Sequence, residues 1–188
     1  MSEYRKLLID TFKGKNSLSI VLYIVIFYLV AEYAILPSVY AFTPISYVSA
    51  VVSGSMIHDP ATIQLTYYDW LSQHGFNMSE VSKWPFSGGI NIGSFVIADK
   101  VAPSQIAVGD VIIYRIDYEG VREDVIHRVI NETVINGTYY YTTKGDANPV
   151  SYPFEINIPY SSVVGKVQTI IPYLGYPRYA LYALGRLI

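Results

Sequence analysis

The stretch SLSIVLYIVIFYLVAEYAIL, residues 17–36, constrains this chain more than any other feature. It is apolar apart from small hydroxyls, tyrosines and Glu32. Crossing a bilayer as a helix takes about 20 such residues. Arg5, Lys6, Lys13 and Lys15 precede it, against Glu3 and Asp10. Because basic flanks stay cytoplasmic, a span here keeps residues 1–16 inside and delivers the rest outside. The expectation is a single-pass protein of the cell membrane with an extracytoplasmic main domain. A removable signal peptide, with VYA at 39–41 as its cleavage site, and a buried core helix are the other readings. The apolar core of a signal peptide is commonly about 7–15 residues, shorter than this run. Pro37 is expected to end the helix or lie just beyond it. Glu32 is costly near lipid and is expected at the outer interface or against a partner.

The rest of the 188-residue chain is long enough for one domain with a real core. Thirteen basic residues balance fifteen acidic ones, so no basic face for nucleic acid is implied. Cysteine is absent, which removes disulfides, thiolate metal sites and thiol nucleophiles. Three Asn-x-Ser/Thr triplets, at Asn77, Asn131 and Asn136, suit an outside location, though so short a pattern also arises by chance.

From residue 95 onward strand signals follow one another. FVIADKV, GDVIIYRIDYEG, EDVIHRVINETVI, TYYYTTKGDANP and SSVVGKVQTII are rich in β-branched and aromatic residues and are bounded by turn residues. NGT at 136–138 is a hairpin signal. In the third run Val125, His127 and Val129 share one face and Ile126, Arg128 and Ile130 the other. The expected fold is mainly β, an antiparallel sheet or partly closed barrel over residues 37–172, behind one transmembrane helix. Residues 57–92, richer in Gly, Ser, Pro, His and Asn, read as an insertion or cap with a short helix within 62–73. The tail 173–188 is apolar with Arg178 and Arg186. If helical, it places Leu181, Leu184 and Ile188 on one side, and it is too short to span.

The candidate chemistry begins at SGSM, residues 53–56. A serine hydroxyl needs a neighbouring base and donors for an oxyanion. The histidines are His58, His74 and His127 only. His127 lies inside a strand pattern, where an imidazole is more often structural than catalytic. His58, Asp59 and His74 match no familiar metal-ligand spacing, so neither a metal nor a cofactor is expected.

Four segments in order, SGSM at 53–56, GDVIIY at 109–114, VIHRVI at 125–130 and TKGDANPV at 143–150, resemble the successive boxes of type I signal peptidases. Histidine in IHRV, where the bacterial enzymes carry lysine, resembles the archaeal and endoplasmic-reticulum branch, as does VVGKV at 163–167. The likeness covers roughly residues 17–58 and 93–172. It implies a membrane-bound serine endopeptidase that cleaves signal peptides from exported preproteins. Its partners would be those peptides, the bilayer and the export machinery. It implies Ser55 as nucleophile, His127 as general base, the Ser55 N–H and Ser53 hydroxyl as oxyanion hole, and Asp146 as the group orienting the imidazole. Ser53 and Asp146 are also ordinary turn residues.

Two departures stand out. The resemblance calls for a second aspartate about six residues past Asp146, where this chain has Tyr152. Asp146 then acts alone, or Glu155 reaches in, or the enzyme is altered. The family's SMxPT run is here SMIHDP, followed by the insertion. Read as a continued strand, this segment puts His58 on the face of Met56, away from Ser55. A non-catalytic, membrane-tethered β domain of the same fold is the alternative.

Overall fold

A computed structural model describes residues 3–14, 16–118 and 120–185. Lys15, Arg186 and Ile188 lie outside the described residues. The chain forms two compact units, Met1–Thr43 and Pro44–Ile188.

In the first unit a helix over Glu3–Phe12 precedes a 26-residue helix, Ser17–Phe42, whose most apolar 18 residues have a mean hydropathy of 2.2. Its length and composition suffice to cross a membrane. Asn16 caps it, accepting from the Ser19 N–H while the Ser19 hydroxyl returns to the Asn16 N–H. The helix does not stop at Pro37, contrary to the sequence expectation; it runs on to Phe42. Proline has no N–H to offer the carbonyl four residues back. The preceding turn, Ala31–Ile35, widens to a π-helix in which the Leu36 N–H reaches the Ala31 carbonyl. The Ser38 hydroxyl donates to Ala34 O, so the helix absorbs the proline.

The second unit is built on a seven-stranded antiparallel sheet. Its strands are β1 (Ile45–Ala50), β2 (Phe95–Asp99), β3 (Val111–Tyr118), β4 (Val121–Ile135), β5 (Thr138–Lys144), β6 (Ile158–Pro159) and β7 (Val163–Ile171). They lie in the order β1-β2-β7-β3-β4-β5-β6. The sheet is open and not a closed barrel. β6 is two residues long and ends in Pro159, which has no ladder donor, so this edge cannot be extended to meet β1. All five strand signals read from residue 95 onward become strands. β1 and β6 were not among them. Helix and strand content are mixed rather than mainly β: the short helix expected within 62–73 is present, and further helices span Glu3–Phe12, Met78–Val81 and Tyr176–Gly185.

The period-2 alternation sorts the core. On one face Val111 and Ile113 pack with Val51, Met56, Ile90, Val96 and Ala98, and Ile126 joins them. On the other, Ile112, Tyr114, Val129, Tyr141 and Ile158 form a second cluster that takes in Val125. The insertion holds a third, small cluster of Tyr67, Leu71 and Val81, which packs on Ile130 of β4. A π-helical stretch, Gln64–Asp69, runs into the short helix Trp70–Gln73, and another short helix spans Met78–Val81. The tail forms a helix over Tyr176–Gly185 with Leu181 and Leu184 exposed.

Among the described residues two open stretches lie at the groove described below. β1 pairs only with β2. β5 joins β4 from Arg128 onward, so residues 121–127 of β4 pair with β3 alone. Four antiparallel steps separate β1 from β4, so the two run in the same direction. One leads towards Ser55 and the other contains His127.

Candidate active site

After β1 the chain turns. The Ile57 N–H bonds to Gly54 O, closing a turn over Ser55 and Met56, and the buried Met56 side chain pins it to the core. The Ser55 carbonyl accepts from the Ala147 N–H at 2.8 Å. A Cβ on Gly145 would sit 2.8 Å from that carbonyl and 2.6 Å from the Asn148 side chain, so only glycine lets the two turns meet. The Ser55 N–H finds no acceptor among the described residues. The Ser53 Oγ stands 3.4 Å from the Ser55 Oγ. A free N–H and an adjacent hydroxyl are the donor types an oxyanion requires.

His127 is buried in β4, on the face of Val125 and Val129. Its Nδ1 lies 2.5 Å from Oε1 of Glu155, which is fully buried. The contact is short but poorly aligned as a hydrogen bond, and neither atom has another hydrogen-bond partner. Glu155 is fixed through its other oxygen, Oε2, which accepts from the Tyr152 N–H at 2.6 Å. With Nδ1 facing a carboxylate, Nε2 is the nitrogen left for proton transfer. Ser53, Ser55 and His127 line one groove of about 620 Å³, whose walls include Tyr47, Val51 and Ile126. No hydrogen bond joins the Ser55 hydroxyl to the imidazole; such bonds are often long in unliganded sites and tighten with substrate.

Asp146 is placed elsewhere. Arg128 grips it through Nε to Oδ1 at 2.9 Å and Nη2 to Oδ2 at 2.7 Å. Neighbours on a strand face opposite ways, so Arg128 carries its partner to the side away from His127. His58 supplies a further contact, Nε2 to Oδ2 at 2.9 Å. Burial works to raise the Asp146 carboxyl, but hydrogen bonds and charge from His58 and Arg128 outweigh it and hold the group below its usual value. Arg128 also donates to the carbonyls of Pro85, Phe86 and Gly109, which ties the insertion to the sheet. Nearby, Lys144 donates to the carbonyls of Thr66 and Gly145, and burial pushes its ammonium down to about 8.

The residues implied by the resemblance therefore divide. Ser53, Ser55 and His127 share a groove; Asp146 does not touch the imidazole, and Glu155, the other acid the sequence offered, does. The sequence reading set His58 aside by extending strand alternation past Ser55. The strand ends at Ala50 and the following residues turn, so that alternation does not apply. Among the described residues no group of three or more His, Asp and Glu is placed to hold a metal ion.

No model of a known protein family matches the chain, and neither does any curated protein.

Proposed function

We propose that this chain is a membrane-anchored serine endopeptidase that removes signal peptides from exported preproteins. The observation that carries the reading is one groove holding Ser53, Ser55 and His127, with the Glu155 carboxylate against the far imidazole nitrogen. The open edges of β1 and of residues 121–127 in β4 run parallel and both contribute to the groove walls. An extended peptide laid there adds a strand, with main-chain bonds giving affinity and side-chain pockets giving specificity. By resemblance, the side chains one and three residues before the cut are small. The basic residues before the anchor keep its N-terminus in the cytoplasm and deliver the second unit to the outer side, where exported preproteins emerge.

The chemistry follows from the residues present. Ser55 Oγ attacks the scissile carbonyl as His127 Nε2 takes its proton. The Ser55 N–H and Ser53 hydroxyl receive the oxyanion. Collapse breaks the C–N bond, and the imidazolium returns the proton to the leaving amine. Water, activated by the same imidazole, then hydrolyses the acyl-serine and restores the hydroxyl. Glu155 stabilises the imidazolium formed in each half.

The test is preprotein cleavage by full-length wild type and Ser55→Ala in detergent. Cleavage by the first and none by the second supports the reading; equal cleavage removes the nucleophile. A second reading, a groove that binds extended peptide without cutting it, draws on the absent Ser55–His127 hydrogen bond. In that case both proteins bind signal peptide and neither cleaves it.

A further inference from the structure

His58 lies three residues past Ser55 and belongs to the insertion, yet its ring reaches back under the site. Nε2 stands 2.9 Å from Asp146 Oδ2. The ring rests on Tyr67, centroid to centroid 4.7 Å, and a Cβ at Gly89 would come within 2.6 Å of its Cδ2. The ring is thus packed between Tyr67 and the backbone near Gly89. Asp146 is flanked by Gly145, which abuts the Ser55 carbonyl, and by Ala147, whose N–H donates to it.

These contacts close a ring. It runs along the chain from Ser55 to His58, across to Asp146, on to Ala147, and back to the Ser55 carbonyl. Arg128 fastens Asp146 to β4 but makes no hydrogen bond to residues 53–58 among the described residues. His58 is the side chain that fastens the nucleophile segment to Asp146. The Ser55 carbonyl is one link of this ring, so the backbone that carries the Ser55 Oγ is tied to the Asp146 turn on both sides.

We infer that His58 is a positioning residue for Ser55, acting through its hydrogen bond to Asp146. The kinetic part of this inference rests on the peptidase reading; the structural part does not. A misplacement of about 1 Å at a reacting group can cost a rate factor of about 10². The effect of His58 is therefore expected in kcat, since the groove walls that bind peptide remain.

The experiment uses the full chain in detergent, with His58→Ala, His58→Leu and His58→Gln. Leucine keeps bulk without a donor, and glutamine restores an N–H at similar reach. Two readouts are taken: preprotein cleavage, and amide hydrogen exchange of segments 53–57 and 145–148. Expected are a kcat about tenfold or more below wild type for Ala and Leu, KM within about twofold, and exchange at Ala147 faster by about tenfold. Glutamine is expected to bring both within about threefold of wild type. Unchanged exchange and kcat in whichever of the Ala and Leu variants folds, or glutamine that rescues neither, overturns the inference. If wild type itself cleaves nothing, the peptidase reading fails, and exchange at Ala147 alone then decides for or against His58.

Discussion

The Glu155 carboxylate stands 2.5 Å from Nδ1 of His127, with both groups buried. A carboxylate there faces Nδ1 and leaves Nε2 as the nitrogen turned to the reaction. Glu155→Gln removes the charge that stabilises the imidazolium and permits the wrong tautomer. The loss expected in kcat is about 10²–10⁴, with KM little changed. Asp146→Asn is expected to lose less, because it reaches the chemistry only through the Ser55 turn. This is the reverse of the order the family resemblance implies. Steady-state kinetics of the two variants decide it: a near-normal Glu155→Gln beside a crippled Asp146→Asn returns the orienting role to Asp146.

Asp146 is a buried anion facing a buried cation, so removing its charge strands Arg128. Asp146→Ala is expected to destabilise the domain by about 3–5 kcal/mol. The sign with pH follows from the lowered carboxyl. The folded protein binds this proton less readily than the unfolded chain. The stabilisation is thus fully present above the ordinary value of 3.8 and is lost as pH falls through the lower, native one. Denaturant unfolding of wild type and Asp146→Asn should show a stability gap that narrows below about pH 4. A gap constant down to strong acid contradicts this account.

Gly145 carries the contact between the two turns. Gly145→Ala places a methyl 2.8 Å from the Ser55 carbonyl, so the nucleophile must move or the 145–148 turn must open. A fall of about tenfold or more in kcat is expected. Gly88→Ala, with nothing within 4 Å of the new methyl, is the control and should stay within about 0.5 kcal/mol in stability and near wild type in rate. Equal behaviour of the two variants would show that the close approach is immaterial.

How far the sequence could be read follows from these same residues. The strands from β2 to β5 and β7 were legible because each carries the alternating or β-branched pattern of a half-buried strand and ends in a turn. Ser55 and His127 could be named from short segments alone. The partner of the imidazole could not. Asp146 and Glu155 are both acids after turns, and the choice depends on strand parity, which sends Arg128 with Asp146 to one side and His127 to the other. The bond between His58 and Asp146 spans 88 positions and follows a turn rather than a strand, so no local pattern signals it. Pro37 misled for a related reason. The rule that proline ends a helix holds only where no neighbouring turn widens to take up the missing bond.

Lys144 gives a prediction on the alkaline side. Burial lowers its ammonium from 10.5 to about 8, so between these values the unfolded chain holds a proton that the native state has released. Stability contributed by this group rises with pH across that window and is lowest below about 8. Wild type should gain up to about 3 kcal/mol relative to Lys144→Met between pH 8 and 10.5, measured by denaturant midpoints. A constant difference across the window would place the Lys144 proton at its ordinary value.

The open edges of β1 and β4 make the last prediction, about how substrate is held. If a peptide lies as a strand beside β1, its N–H groups point alternately to β1 and to residues 121–127 of β4. N-methylation of one residue in a peptide substrate deletes a single such donor and adds bulk at the ladder. Within the groove, methylation at each position is expected to raise KM about tenfold or more, because both neighbours of the inserted strand are open edges. A peptide bound against one edge only would instead show a two-residue period, with every second position tolerant. Methylation beyond the groove should leave KM unchanged. A substrate series in which no position responds would mean that recognition runs through side chains alone, and the parallel edges would have no part in it.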